Sequence, residues 1–279
     1  MVRTGILAVL TAGLLAATAT AQTAPWRFRW QKGQVLTYRV EQDIVVTDEA
    51  GGAKTESKSK LNLTKRWQVL DVDAAGVATL QLSLAVLRLQ TTPPGGEALV
   101  FDSANLDKSS AELREQMRRY VGQPLAVLRI DGRGQVLEVK DSKFGPASRF
   151  QNELPFALVL PEKDVEPGQS WERAYQIILD PPHGTGEKFD AVQKYTCGMP
   201  LKGGTVIRLS TTLKSKPESA ADEMPLLQFQ PEGEIVFDAL SGLLCSVRLK
   251  IDREVRGHQG EGSRYHFQSS YAEELVPNP

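Results

Sequence analysis

The chain is short of the residues that carry most enzyme chemistry: 279 residues include three histidines and two cysteines. No H-E-x-x-H pair and no close cysteine pair is present, so the common zinc patterns have no ligands. The nucleophile elbow G-x-S-x-G is also missing; in "GEGSRY" the serine, Ser263, stands one place too late. An excess of charge is lacking too, with 33 basic against 34 acidic residues and a net charge of −1. Nucleic-acid binders carry a basic excess, and disordered chains combine high net charge with few apolar residues. Here 41% of residues are hydrophobic and no low-complexity tract occurs, which points to a folded core.

The one sustained apolar run is at the start. "MVRTGILAVLTAGLLAATATAQTAPW" has Arg3 as a positive n-region, an h-region from about Ile6 to Ala17, and the cleavage signature Ala19-Thr20-Ala21. It is shorter than the roughly 20 apolar residues of a membrane span. Residues 1–21 therefore read as a secretory signal peptide. Removing them from 279 leaves 258 residues and, with the loss of Arg3, a net charge of −2. No cysteine lies near the cleavage point, so a lipid anchor on the new N-terminus is not expected. The expected location is secreted or periplasmic.

The rest alternates at period two, the mark of strands with one buried face. The first inward row is Leu36, Tyr38, Val40, Ile44, Val46, and the next is Leu61, Leu63, Trp67, Val69 after a polar connection "TDEAGGAKTESKSK". Ala78, Leu80, Leu82 and Leu84 follow, with a phase slip to Leu87 and Leu89 that suggests a bulge. Later rows are Trp171, Arg173, Tyr175, Ile177, Leu179; Phe189, Ala191, Tyr195, Cys197; Ile207, Leu209, Leu213; Leu243, Cys245, Val247, Leu249, Ile251; and Tyr265, Phe267, Tyr271. Half-buried alternation belongs to antiparallel sheets. The expected fold class is mainly β (α+β): a curved antiparallel sheet of about 10 to 12 strands with one amphipathic helix.

That helix is expected from about Ser110 to Val121. Leu113, Met117 and Val121 form its apolar stripe, Ser109 with Glu112 a capping box, and Gly122 its C-terminal cap. Its arginines, interspersed with Glu112 and Glu115, read as a solvated face. The chain also shows three ordered similarities between its halves: "GQVLTYRVEQDI" with "GQSWERAYQIIL", "GVATLQLSL" with "GGTVIRLST", and "GQVLEVK" with "GLLCSVR". Duplication would produce such pairs, and so would chance among alternating strands. The domain reading is one β-rich domain over 22–279, with two similar halves at about 28–140 and 165–276 joined by a proline-rich crossover.

The decapeptide "DPPHGTGEKF" (residues 180–189) looks chemical, but it lacks the glycine spacing, the hydroxyl after the lysine and the following helix of a phosphate loop. Gly184 and Gly186 are read as turn residues, supplying positive φ for a chain reversal. His183, His258 and His266 are read as surface residues; a metal shared by His258, Glu261 and His266 would need all three to meet across a hairpin. Meander order sets Cys197 and Cys245 about 14 Å apart at ordinary strand spacing, beyond disulfide reach; curling of the sheet would close that gap. In "TAPWRFRW", Trp26, Phe28 and Trp30 read as a first strand whose rings cover the core. No catalytic residue, cofactor or metal is assigned.

On "KGQVLTYRVEQ", "KRWQVLDVDAAGVATLQLSL", "LPEKDVEPGQSWER" and "LDPPHGTGEKF", the chain resembles an uncharacterised family of exported bacterial proteins, a domain of unknown function. That resemblance implies export and a β-rich fold, and carries no activity. A fainter similarity, of fold only, is to envelope lipoprotein carriers, in which a curved sheet wraps helices around an apolar cavity. The functional expectation is a non-catalytic binding protein for an apolar or cell-envelope ligand. Its alternatives are a hydrolase whose carboxylates meet only in the fold, and an envelope component that assembles through sheet edges. Neither nucleic acid nor a membrane span is expected.

Overall fold

A computed structural model describes residues 26–143, 150, 158–181 and 184–277. The proposed signal peptide, His183 and residues 144–149 and 151–157 of the proline-rich crossover lie outside these residues. The described chain forms one 12-stranded curved sheet. Its first half holds β1 (Val35–Ala50), β2 (Ala53–Val72), β3 (Ala78–Thr92), β4 (Leu99–Asp102), β5 (Pro124–Ile130) and β6 (Val136–Ser142). Its second half holds β7 (Ser170–Leu179), β8 (Glu187–Leu201), β9 (Gly204–Leu213), β10 (Glu232–Asp238), β11 (Leu243–Arg256) and β12 (Arg264–Val276). The strand order β6-β5-β3-β2-β1-β12-β11-β10-β9-β8-β7 makes each half a meander, and antiparallel pairing of β1 with β12 joins them. Strands β6 and β7 end the sheet, so it is open.

The alternation decides which face is buried. Leu36, Tyr38 and Val40 lie beneath the concave face, while the convex face carries exposed cross-strand ion pairs such as Arg39–Glu274–Arg248 and Lys60–Asp43. The phase slip after Leu84 is a bulge: Lys65 pairs with Leu84 but Thr64 with Val86, which leaves Ala85 extra. The polar stretch between β1 and β2 is not a long connection. Both strands run through it to a two-residue turn, Gly51-Gly52, with φ of 58° and 80°, the twist-matched geometry that only glycine enters freely.

Each half carries a helical insert after its third meander strand, between β4 and β5 in the first half and between β9 and β10 in the second. In the first half, α1 (Ala111–Met117) is followed by a 3₁₀ turn at Arg118–Tyr120. It is shorter than the spacing suggests. Val121 is extended and bridges to Leu84, and Gly122 closes the segment at φ 80° with its N–H on the Leu84 carbonyl. The expected capping box is not formed. Ser110 is the N-cap, and the Ser109 and Ser110 hydroxyls accept instead from the Asp102 and Val100 amides of β4. The second half holds a helical segment that the apolar spacing does not reveal: α2 (Ala220–Glu223), capped by Ser219, runs into a 3₁₀ helix at Met224–Phe229.

The aromatic N-terminal segment is not a strand. Residues 26–30 cross the base of the curved sheet, with the Phe28 amide on the Gly132 carbonyl and the Arg29 amide on the Gly242 carbonyl. Trp26, Phe28 and Trp30 pack on the largest core cluster, which runs from Leu128 on β5 to Tyr195 on β8. Phe28 stacks on Trp30 at 5.0 Å and meets Phe237 edge-on at 5.1 Å. Rings therefore do cover the core, from across the base. Gly242 permits this: a Cβ there would lie 2.6 Å from the Arg29 nitrogen.

Candidate functional site

Above the aromatic base, the concave face leaves a cavity of about 500 Å³, within the range of about 300–1,000 Å³ usual for small-molecule sites. Its walls are mainly apolar: Val40, Leu61, Leu63, Leu82, Leu249 and Ile251 come from the sheet, with Gln42, Lys250 and Ser269 among them. The two inserts flank it, with Tyr120 on one side and Gln228, Phe229 and Pro231 on the other. Leu113, Met117 and Val121 lie outside the cavity. They form, with Leu87 and Phe101, a separate cluster that seats α1 on Leu61 and Leu63. The second insert is seated by Leu226 against Ile177 and Ala191, and by Leu227 against Ile251 and Phe267.

A polar layer separates cavity from base. Lys65 on β2 reaches across β1 to Glu273 on β12, Nζ to Oε1 2.7 Å, with side-chain exposures of 7% and 0%. Tyr271 donates from its hydroxyl to Glu273 Oε2 at 2.6 Å, and the Lys65 ammonium lies 5.7 Å from the Tyr38 ring centre. Burial, with the nearby Glu273 and Cys245 charges, pushes the Tyr38 phenol far above its usual range, so it stays a neutral donor to the Leu244 carbonyl. On the opposite wall, Gln193 is 2% exposed and lines the cavity. Its Oε1 accepts from Tyr195 at 2.9 Å and from Arg173 at 3.3 Å. Burial raises the Tyr195 phenol strongly and that of Tyr175 to about 12, the latter opposed by Arg173. Tyr175 donates to the Phe229 carbonyl of the second insert.

The other expected residues lie elsewhere. Gly184 and Gly186 sit in the β7–β8 connection, where the Gly186 amide bonds to the Leu179 carbonyl. Only Gly186 takes a positive φ, 107°; Gly184 is needed for closeness, because a Cβ there would sit 2.7 Å from the Leu179 oxygen. The surface reading fails for His258, whose side chain is fully buried against Asp48, while the partly exposed His266 bonds to Asp252. Strand parity puts His266 on the convex face, and among the described residues no cluster of three or more metal-ligating side chains occurs. Cys197 and Cys245 are free thiols with two strands between them, both pushed upward in pKa by burial. No described helix is long and apolar enough to cross a membrane.

No family model and no curated protein matches the chain. Among solved structures, it is similar to DynF from the dynemicin biosynthesis pathway of Micromonospora chersina, at 11% identity and a TM-score of 0.20 over 98% of this chain and 94% of that one. A DUF1329 family protein from Desulfovibrio piger gives 11% identity and 0.16 over 88% and 84%. The Pseudomonas aeruginosa MucA/MucB complex gives 10% and 0.14 over 85% and 89%. Scores this low carry no argument about what the chain does, so the functional reading rests on the cavity.

Proposed function

We propose that the protein is an exported, non-catalytic binding protein that holds an apolar molecule on the concave face of its sheet. One observation carries this reading: about 500 Å³ of apolar-walled space stands open between two helical inserts, although cores otherwise pack with few voids larger than a water molecule. The buried Lys65–Glu273 pair points the same way. Such a pair is a weak device for stability, since apolar residues of similar volume often do as well or better. A pair that contributes little to the fold, yet lies at the inner end of a cavity, fits a role in what the cavity holds.

The alternatives draw less support. A hydrolase of the expected kind needs two carboxylates facing each other across a wet cleft, and the described side chains lining this cavity include no aspartate or glutamate. Assembly through edges needs a long flat edge: β6 has seven residues and two register shifts against β5, which leaves β7, ten residues in unbroken register with β8, as the one edge for it. Titration of the chain from Gln22 onward with N-phenyl-1-naphthylamine tests the proposal. Saturable binding at one site is expected, and fluorescence that rises without saturation would contradict it.

A further inference from the structure

Gln193 is the polar side chain that the fold does not use up. Arg173 can only donate, so the side-chain atom it meets must be the amide oxygen, and Tyr195 donates to that same atom. The amide nitrogen is thereby turned away from both. It has no hydrogen-bond partner among the described residues, on a side chain that is 2% exposed and lines the cavity. Beside it in register on β9, the fully buried Thr211 hydroxyl also lacks a partner. Gln193 Nε2 is thus a donor offered to the cavity, and the buried Thr211 hydroxyl opposes folding unless something else satisfies it. A bound molecule is one thing that can.

From this we infer that the ligand is an uncharged single-chain amphiphile whose head, an ester, amide or similar group, accepts a hydrogen bond from Gln193 Nε2, with the chain lying along the leucine wall toward the inserts. This deepens the proposed cavity reading and rests on it. The charge of the head follows from Lys65. Its ammonium is already matched by Glu273 at 2.7 Å, so a carboxylate head would bring a second anion into a site whose other lining cation, Lys250, is mostly exposed and already paired with Glu232. An ammonium head would meet Lys65 and the Gln193 donor, both of the wrong sense. A neutral acceptor avoids both costs. The volume suits one chain: about 500 Å³ lies toward the lower end of the usual range of ligand sites.

The test displaces N-phenyl-1-naphthylamine with three amphiphiles of equal chain length: a methyl ester, a carboxylate and an ammonium. The ester should compete at least about tenfold better than either ion, one factor of ten being about 1.4 kcal/mol. Gln193→Glu keeps an acceptor for Tyr195 and Arg173 but replaces the donor with a negative charge, so preference should shift about tenfold toward the ammonium. Gln193→Met, which removes the donor without adding charge, should cost the ester about tenfold relative to the probe. Lys194→Gln, on the convex face next door, should leave the ester preference intact. If the probe binds but the carboxylate competes as well as the ester, or the folded Gln193 variants keep the parent preference, the head assignment is wrong and the cavity reading survives. If the probe does not bind at all, both fall.

Discussion

The two ends of the concave face are built from the same strands and end differently. At the base, Trp26, Phe28 and Trp30 fill the space, and the remaining void is about 40 Å³. One layer higher, about 500 Å³ stays open. The strands do not explain this, because Leu36 and Val40 on β1, or Trp67 and Leu63 on β2, belong to the same inward rows. Two things differ. The base receives a chain segment whose only task is to pack, tied by backbone bonds to Gly132 and Gly242. The upper end receives two short helical inserts that stand to either side of the open space and are seated on their own small clusters. Between the two ends lies the layer of Lys65, Glu273, Tyr271 and Gln193, which gives an incoming segment polar atoms to meet instead of a hydrocarbon floor.

The comparison can be broken most sharply at that layer. Glu273→Leu leaves the Lys65 charge buried without its partner and should lower stability by about 3–5 kcal/mol, whereas adding Lys65→Met should recover most of the loss. Urea denaturation of both variants measures this; a single variant as stable as the parent would mean the layer is hydrated and unimportant. Next in size, Leu80→Ala in the packed base should cost about 2–5 kcal/mol, and Leu63→Ala on the cavity wall about 1 kcal/mol, because Leu63 already faces open space and forfeits fewer contacts. Equal losses at the two positions would show that the cavity is collapsed in solution.

A smaller effect should appear in alkali. The Tyr175 phenol titrates near 12 in the folded protein and near 10 when unfolded. Below about pH 10 both states hold the proton. As pH rises from there toward 12 the unfolded state loses its proton first, so stability must fall. Urea midpoints between pH 9 and 12 should decline less steeply for Tyr175→Phe than for the parent, with Tyr38 and Tyr195, also raised by burial, sustaining the rest of the slope.

Much of the sheet was legible because period-two alternation is a local property: Leu36 to Val46 and Trp171 to Leu179 state their own faces, and the slip after Leu84 marks its own bulge. The second insert was not, since four helical residues and a 3₁₀ turn are too short to display a stripe. Val121 was misplaced for a related reason. Leucine-like spacing continues through it, while the pairing that pulls it out of the helix comes from Leu84, far away in sequence. The site was legible in a different sense. The inward rows skip position 42 on β1, 65 on β2, 193 on β8, 211 on β9, and 269 and 273 on β12, where Gln, Lys, Gln, Thr, Ser and Glu interrupt the apolar series. Five of these six are among the polar residues of the cavity and its floor, and Thr211 stands next to Gln193. A single gap of this kind is unremarkable. What the sequence alone lacks is the strand order that sets β2 and β12 on either side of β1, and so brings Lys65 and Glu273 together.

The central claim is that the open space on the concave face is a binding site, and the most direct measurement is calorimetric titration of a long-chain methyl ester into the parent protein and into Leu63→Trp, whose indole would occupy the cavity from its wall. The parent should bind one molecule per chain, and the variant, with an unchanged far-ultraviolet circular dichroism spectrum, should bind at least about tenfold more weakly, a difference of about 1.4 kcal/mol. Equal affinity in both proteins would place the ligand elsewhere and contradict the account.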